Sequence, residues 1–396
     1  MKNQARAVSI LISLSALMIL VSCQKQKAEW EVTIDEENGV RIIKNPSEPL
    51  YGEISLQLEK DISIGHEGDE QYMFYRAHYI VVDTEGNIFV IDRGNQRIQK
   101  FGQDGKYKQT IGRKGQGPGE FENPYHPFLD SEDNIYVQDS GKIKIFSKDG
   151  QFNRAIPRNA GLFGLTKGGH FFGWDTPKTV EGGAKTDIAL FNAEGEKVRT
   201  IASYPQEIIN GRGKFPLIGP YSYRLRYHMI NENLVIYGYS SEYRLYLTDA
   251  SGKLVRIIEK KDKPRSLTNA EDEKLKDDLL EGMNLFYSRA GRRKLAKGDI
   301  SYIFPSYVAY FYRICSDDKD RIYIEQFTSP LEEGSFTCDL FNKEGFYLHR
   351  VKTPLFPAII REGLFYVIEQ NPETGIEIIN RYRIANWAQI KERAKL

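Results

Sequence analysis

The stretch from Ile64 to Gly150 states one pattern twice, and this repetition constrains the fold more than any other feature. Gly65 precedes Asp83 by 18 residues, and Gly112 precedes Asp130 by the same interval. Each Asp opens a turn and an apolar run, TEGNIFVID ending at Asp92 and SEDNIYVQD ending at Asp139. A second short apolar run follows (RIQKF, KIKIF), and the units close on QDG at Gly105 and KDG at Gly150. The two Asp lie 47 residues apart and the two Gly 45. A period of that size, built only of short strands and turns, is that of a propeller blade.

Counting turns extends the repeat along the chain. Inner turns fall near Gly86, Asp133, Gly168, Glu232, Lys319 and Glu362, and second turns at Gly105, Gly150, Gly195, Gly252 and Gly345. This predicts an all-β, six-bladed β-propeller over residues 53–385. The strand Glu53–Gly65 has no partner before it, aligns with the outer strand at Lys106–Gly112, and is expected to pair with the last blade at Ile376–Ile384. Such pairing closes the ring and removes free sheet edges. Upstream, Trp30–Lys44 alternates apolar and polar residues about Asn38-Gly39, a hairpin signal. One segment, 266–298 between blades four and five, turns helical: Thr268 with Glu271 fits a capping box, and Leu275, Leu279 and Met283 share a face. It is expected either to cap the central opening or to pack beside the ring. The tail 386–396 reads as a short helix. Cys315 and Cys338 fall on the first and third strands of one blade, too far apart for a disulfide, and are expected to be buried thiols.

Lys2 and Arg6, an apolar run from Ala7 to Val21 and then Ser22-Cys23 read as an export signal over 1–22, with a tether and the hairpin over 23–52. Leu20-Val21-Ser22-Cys23 resembles the bacterial lipobox, which implies lipidation of Cys23 and anchoring in the membrane by several acyl chains. The absence of Asp after Cys23 favours the outer membrane, and Gln24 and Lys25 favour the periplasmic side over the surface. With 55 basic and 54 acidic side chains the net charge is +1. That balance and the export signal argue against nucleic acid as a partner.

Val90–Phe101 (VIDRGNQRIQKF) and Gly115–Phe121 (GQGPGEF) resemble NHL repeats. The whole plan is similar to the six-bladed β-propeller lipoproteins of Bacteroidetes-type bacteria: the lipobox, Asn45-Pro46 after a hairpin, the helical insert, and Phe304-Pro305 with Tyr307. The resemblance implies fold and envelope address, and no reaction.

Residues entering the ring's mouth are aromatic and basic: Phe74, Tyr75, Arg76 and His78; Tyr125 and His126; Tyr221, Tyr223, Arg224, Arg226 and His228; Tyr307 and Tyr310. Tyr supplies a rigid face with one hydroxyl and Arg a planar donor fork, which suits a glycan, a peptide or a carboxylate. The opposing expectation is that about half of them only pack blade on blade. We therefore expect a ligand-binding or protein-interaction module, with a glycan, peptide or envelope protein as partner and no cofactor. The alternative is a metal-dependent lyase or lactonase in which His78, His126 and His228 hold zinc on the axis, as in NHL-type amidating lyases. Against it, His78 lies five residues before Asp83 while His126 lies four before Asp130, and alternation turns one of them away. Asp92 and Asp139 read as turn caps, with calcium the alternative. The Gly112–Gly119 loop reads as an interblade turn, because Pro118 removes a donor and no helix follows to form a phosphate cradle. No nucleophile motif is present.

Overall fold

Short apolar runs between Asp- and Gly-bearing turns form four-stranded antiparallel sheets, and the computed structural model arranges six of these as blades. It describes residues 31–157, 160–175, 178–180, 183–206, 215–218, 222–289, 293–332, 334–371 and 374–392. Cys23, the segment 1–22 and Tyr221 lie outside the described residues, and the six blades belong to the unit Val32–Leu396. Blade one runs Ala77–Val82, Ile88–Asp92, Arg97–Phe101 and Tyr107–Ile111 from inner to outer strand. Blade two runs Pro124–Leu129, Ile135–Asp139, Lys142–Phe146 and Phe152–Pro157. Blade three runs Ala160–Leu165, Phe171–Asp175, Gly183–Phe191 and Lys197–Gln206. Blade four runs Leu225–Asn231, Leu234–Tyr239, Arg244–Asp249 and Leu254–Lys260. Blade five runs Ile314–Ser316, Ile322–Glu325, Phe336–Phe341 and Tyr347–Thr353. Blade six runs Ile359–Arg361, Leu364–Gln370 and Glu377–Ile384, and takes its outer strand, Leu58–Ile64, from the start of the chain.

The core lies between blades. Phe89, Ile91 and Ile111 of blade one meet Ile135, Val137 and Phe146 of blade two. The seam between the chain's two ends is packed in the same way, with Ile64, Tyr366 and Ile379 against Ile80, Val90 and Phe101. Gly105 (φ +77°) sits so close to Ile62 that a Cβ there would lie 2.9 Å from Ile62 Cγ2, just as a Cβ at Gly150 would lie 2.7 Å from Ile111 Cγ1. Each turn thus rests on the outer strand of the blade before it, and Leu58–Ile64 fills that role for blade one.

The expected closing strand differs from the structure in one respect. Glu53–Gly65 is not one strand: Glu53–Ser55 pairs in parallel with Tyr347–Thr353 of blade five, and only Leu58–Ile64 joins blade six. The hairpin forms as expected (Thr33–Glu37 with Val40–Asn45, Asn38 and Gly39 both at positive φ), and its second strand adds in parallel to Leu254–Lys260 of blade four. The chain therefore runs along the outer edges of blades four, five and six in turn. The step from four to five is fixed by Asn45, which is buried. Its Nδ2 donates to Glu259 O (3.1 Å) and Gly345 O (2.9 Å), and its Oδ1 accepts from Tyr347 N (2.8 Å). The step from five to six is fixed by Asn386, which accepts from Gln57 N (3.0 Å) and donates to Ser55 O (2.9 Å).

The inner turns are joined around the axis. Thr84 N donates to Asp133, Ser131 N and Lys167 N donate to Glu232, Asn231 donates to Asp320, Glu362 N to Asp318, and Arg361 to Val82 O. The circle closes through blades one, two, four, five and six, and blade three joins it at blade four through Lys167 N.

The helix spans Asn269–Arg289. Its capping box is formed, with Glu271 Oε2 accepting from Thr268 N (2.9 Å) and Thr268 Oγ1 from Glu271 N (3.3 Å). Buried Glu271 also takes hydrogen bonds from Arg265 and from Ser329 in a blade-five loop, so the first turn docks beside the ring. Further on, Ile300–Ile303 pairs in parallel with Phe215–Ile218. The tail forms only a single 3-10 turn, Trp387–Gln389, before residue 392. Cys315 and Cys338 are free, on the first and third strands of blade five, and Cys338 is buried. Burial pushes the Cys315 thiol up to about 12.

Truncating Asn45 leaves Tyr347 N and Gly345 O buried without partners, at about 1–3 kcal/mol for each such group. Asn45→Ala is expected to lower the unfolding free energy by about 2–4 kcal/mol in urea titrations monitored by fluorescence. A change below about 0.5 kcal/mol would mean that the strap is not what holds blades four and five.

Candidate functional site

In blades one, two and four the segment that leads into the inner strand is pinned by a residue at or just past the end of the second strand of the same blade. Asp92 Oδ1 accepts from Tyr75 N (2.9 Å), Asp139 Oδ1 from Glu122 N (3.0 Å) and Asn123 N (2.6 Å), and Ser240 Oγ from Arg224 N (2.9 Å). Asp92 and Asp139 are buried and paired with Arg97 (2.8 Å) and Lys144 (2.7 Å). Their oxygens are engaged within their own blades, which accounts for these repeated carboxylates as anchors of the mouth. The inner strands of blades one to four are irregular. His78 is the extra residue opposite Ile91 and Asp92, Phe163 and Ile230 are extra in blades three and four, and the register also shifts at His126-Pro127. Arg76 (φ 57°) and His126 (φ 44°) adopt the left-handed region at these irregularities, a device that re-aims side chains.

The histidines lie within inner strands, not upstream of them, and they do not converge. His78 is exposed. His126 packs on Tyr79 of blade one, ring centroids 4.8 Å apart, with Nε2 3.4 Å from Tyr79 Oη, and on Tyr125 at 5.5 Å. His228 lies on blade four with Nε2 2.9 Å from Ser316 Oγ of blade five. Among the described residues no three His, Cys, Asp or Glu side chains are grouped as metal ligands. The central zinc arrangement thus has no donor set here.

What gathers at the mouth is aromatic and cationic. Tyr227 of blade four stacks on Phe163 of blade three at 4.3 Å and is hydrogen-bonded by Trp174. A Cβ at Gly161 would lie 2.2 Å from the Trp174 ring, so Gly161 makes room for the indole. Tyr227 also senses Tyr79 electrostatically, which brings blades one to four into one collar. Burial pushes Tyr227 up to about 12 and raises Tyr79, so both phenols remain neutral donors. Arg93 donates to Asn123 Oδ1 (2.6 Å), and together with burial its charge lowers the His126 pKa. Arg226 is partly buried and its Nε has no hydrogen-bond partner; burial and neighbouring Arg224 lower its pKa. Arg313 and Glu325 lie within electrostatic reach of Arg226, and they form a bidentate pair with each other.

Other expected mouth residues divide. Arg76 and Arg224 are exposed, and Arg76 lies over Tyr75 at 5.6 Å. Tyr125 and Tyr223 are partly buried. Tyr307 is exposed, and Tyr310 instead lines a separate cavity of about 370 Å³ with Phe327 and Asp262. Phe74 is a correction: it is buried in the seam between blades six and one, edge-on to Phe101 at 5.9 Å. Arg93, Trp174 and Tyr227 were not expected. Arg93 and Trp174 both flank the second-strand ends marked by Asp92 and Asp175, the one signal that points to them. The Gly112–Gly119 loop is an interblade turn whose concavity is filled by its own carboxylate: Glu120 accepts from Gly117 N (2.9 Å) and Arg113 Nε (2.9 Å).

Residues 70–175 match the model of the DUF5128 family, described as a 6-bladed beta-propeller. The match covers blades one and two and the first two strands of blade three, and so includes the anchors Asp92 and Asp139. No curated protein sequence matches the chain. Among solved structures, the chain is similar to a member of the duf4221 family from Bacteroides vulgatus (13% identity, 83% of this chain and 98% of that one, TM-score 0.51). It is also similar to a Bacteroides fragilis protein provisionally named as exported (11% identity, 87% and 99% coverage, TM-score 0.49). At these identities the likeness is one of fold.

Burial holds His228 down to about 4 from an ordinary 6.5, so the native state keeps it neutral where the unfolded chain protonates it. Its contribution is fully present above about pH 6.5 and is lost as pH falls towards 4. At about 1.4 kcal/mol per pKa unit the loss is at most about 3.5 kcal/mol. The urea midpoint is expected to fall between pH 7 and pH 4.5, and His228→Gln to show a smaller fall than wild type. Equal falls in both would remove this account.

Proposed function

We propose that the protein is a lipoprotein of the outer membrane, tethered through Cys23, whose propeller mouth binds a carboxylate-bearing glycan or peptide. The supporting observation is Arg226, a partly buried guanidinium with an unpartnered Nε, beside exposed Arg224 and the Tyr227–Phe163 stack. A guanidinium deprived of water and of a hydrogen-bond acceptor gains most from an incoming carboxylate. Neutral phenols and the indole of Trp174 supply flat apolar faces on which a sugar ring or a peptide side chain stacks. The export reading rests on the opening residues Lys2 to Cys23. The periplasmic side is favoured by Gln24 and Lys25, and lipidation of Cys23 is checked by mass spectrometry of the mature chain.

Binding is tested with the purified full chain in detergent, by calorimetry against oligogalacturonate and neutral galacto-oligosaccharides, and against one peptide as free acid and as amide. The acidic member of a pair is expected to bind more tightly. Arg226→Ala is expected to weaken that binding about tenfold or more, as loss of a charge-assisted hydrogen bond does. Equal affinity for charged and neutral members, or for R226A and wild type, would overturn the proposal.

A further inference from the structure

The inner-turn end of the axis holds a larger cavity, of about 600 Å³, that meets the collar at Phe163. Its lining begins just beyond the collar on each inner strand: Ile80 after Tyr79, Pro127 after His126, His228 after Tyr227. Residues from five blades line it, among them Ile80, Phe128, Leu165, Met229 and Ile359, so much of its wall is apolar. Its volume is that of a site for a small organic molecule. Where it meets the inner turns, the lining carries Asp130, Asp133 and Glu232 against one cation, Arg361.

These three carboxylates are fixed by neutral donors. Asp130 caps its own turn through Glu132 N (3.0 Å) and Asn134 N (2.8 Å), Asp133 accepts from Thr84 N (3.1 Å), and Glu232 from Ser131 N (2.9 Å). None of the ion pairs among the described residues includes them, while Arg361 donates to Val82 O and lies 3.8 Å from Glu362. The rim thus keeps a surplus of negative charge over an apolar chamber. At the inner end His228, held neutral by burial, adds no positive charge.

We propose that this chamber is a second binding site, for a small molecule with an apolar body and one cationic nitrogen, the body among Ile80, Phe128 and Met229 and the nitrogen at the Asp130, Asp133 and Glu232 rim. An anion of the same shape meets three carboxylates, and a molecule without an apolar body gains nothing from the walls. The site meets the collar at Phe163 and uses none of the arginines proposed for the mouth ligand.

The probes are decyltrimethylammonium and decanoate, both below their micellar concentrations, titrated calorimetrically into the full chain. The cation is expected to bind at least tenfold more tightly, and its affinity to fall as sodium chloride is raised. Asp133→Asn keeps an acceptor for Thr84 N and is expected to weaken the cation several-fold and to tighten, not weaken, decanoate. Leu165→Trp, which fills the chamber, is expected to abolish binding; if it does not melt cooperatively, Ile359→Trp from another wall is read in its place. Equal affinity for the two probes, or undiminished cation binding in the filled variant, overturns the proposal.

Discussion

A ring of sheets has no natural beginning, so a linear chain must make one of its blades from both of its ends. Here the meeting point is the antiparallel pairing of Leu58–Ile64 with Glu377–Ile384, and every other feature presupposes it. Without it, Glu377–Ile384 would present an open row of backbone donors and acceptors, and the seam around Ile64, Tyr366 and Phe101 would lose one wall. The chain does more than supply one strand. By adding Val40–Asn45 to blade four and Glu53–Ser55 to blade five, it covers three successive outer edges, and Asn45 and Asn386 supply hydrogen bonds at the two steps. Pairings of such sequence separation are slow to form, because loop closure precedes any contact gain. Closure therefore waits for the last blade.

Once closed, the ring fixes its axis from two directions. Interblade clusters set the spacing of the sheets, and the circle of hydrogen bonds among the inner turns sets their rotation. Asp133, Asp320 and Glu362, at positive φ, are the turn residues that take part in blades two, five and six. With the turn end held, irregularity is admitted further up the inner strands, at Arg76, His78 and His126, where bulges turn side chains toward the mouth. A rigid frame carrying local backbone irregularity is the usual setting for a binding surface.

Much of this was legible because blades repeat. The strand and turn order, the helix with its Thr268–Glu271 box, the hairpin at Asn38-Gly39 and the placement of the two cysteines all follow from local pattern. The split of Glu53–Gly65 was not legible: the run alternates through Leu56-Gln57, and nothing local says that one half faces blade five and the other blade six. Phe74 was misplaced for a related reason, since proximity to an inner strand does not tell an axial side chain from one turned into the seam. Arg93, Trp174 and Tyr227 escaped because the collar is made across blades, from bulges whose positions a period cannot give. The offset between His78 and His126 did carry information, because the two bulges differ and only His126 joins the collar.

The collar also explains how one axis can serve two chemistries. Tyr79, His126, Phe163 and Tyr227 stand between arginines at one end and carboxylates at the other; burial keeps the two phenols neutral, and desolvation and Arg93 lower the His126 pKa. Charges facing water at opposite ends of the ring are screened from one another over roughly 8 Å at physiological ionic strength. Substitutions at one end that leave the shared Phe163 in place act additively with those at the other. Six blades tied together at their inner turns can therefore keep their shape while each opening carries its own sign of charge.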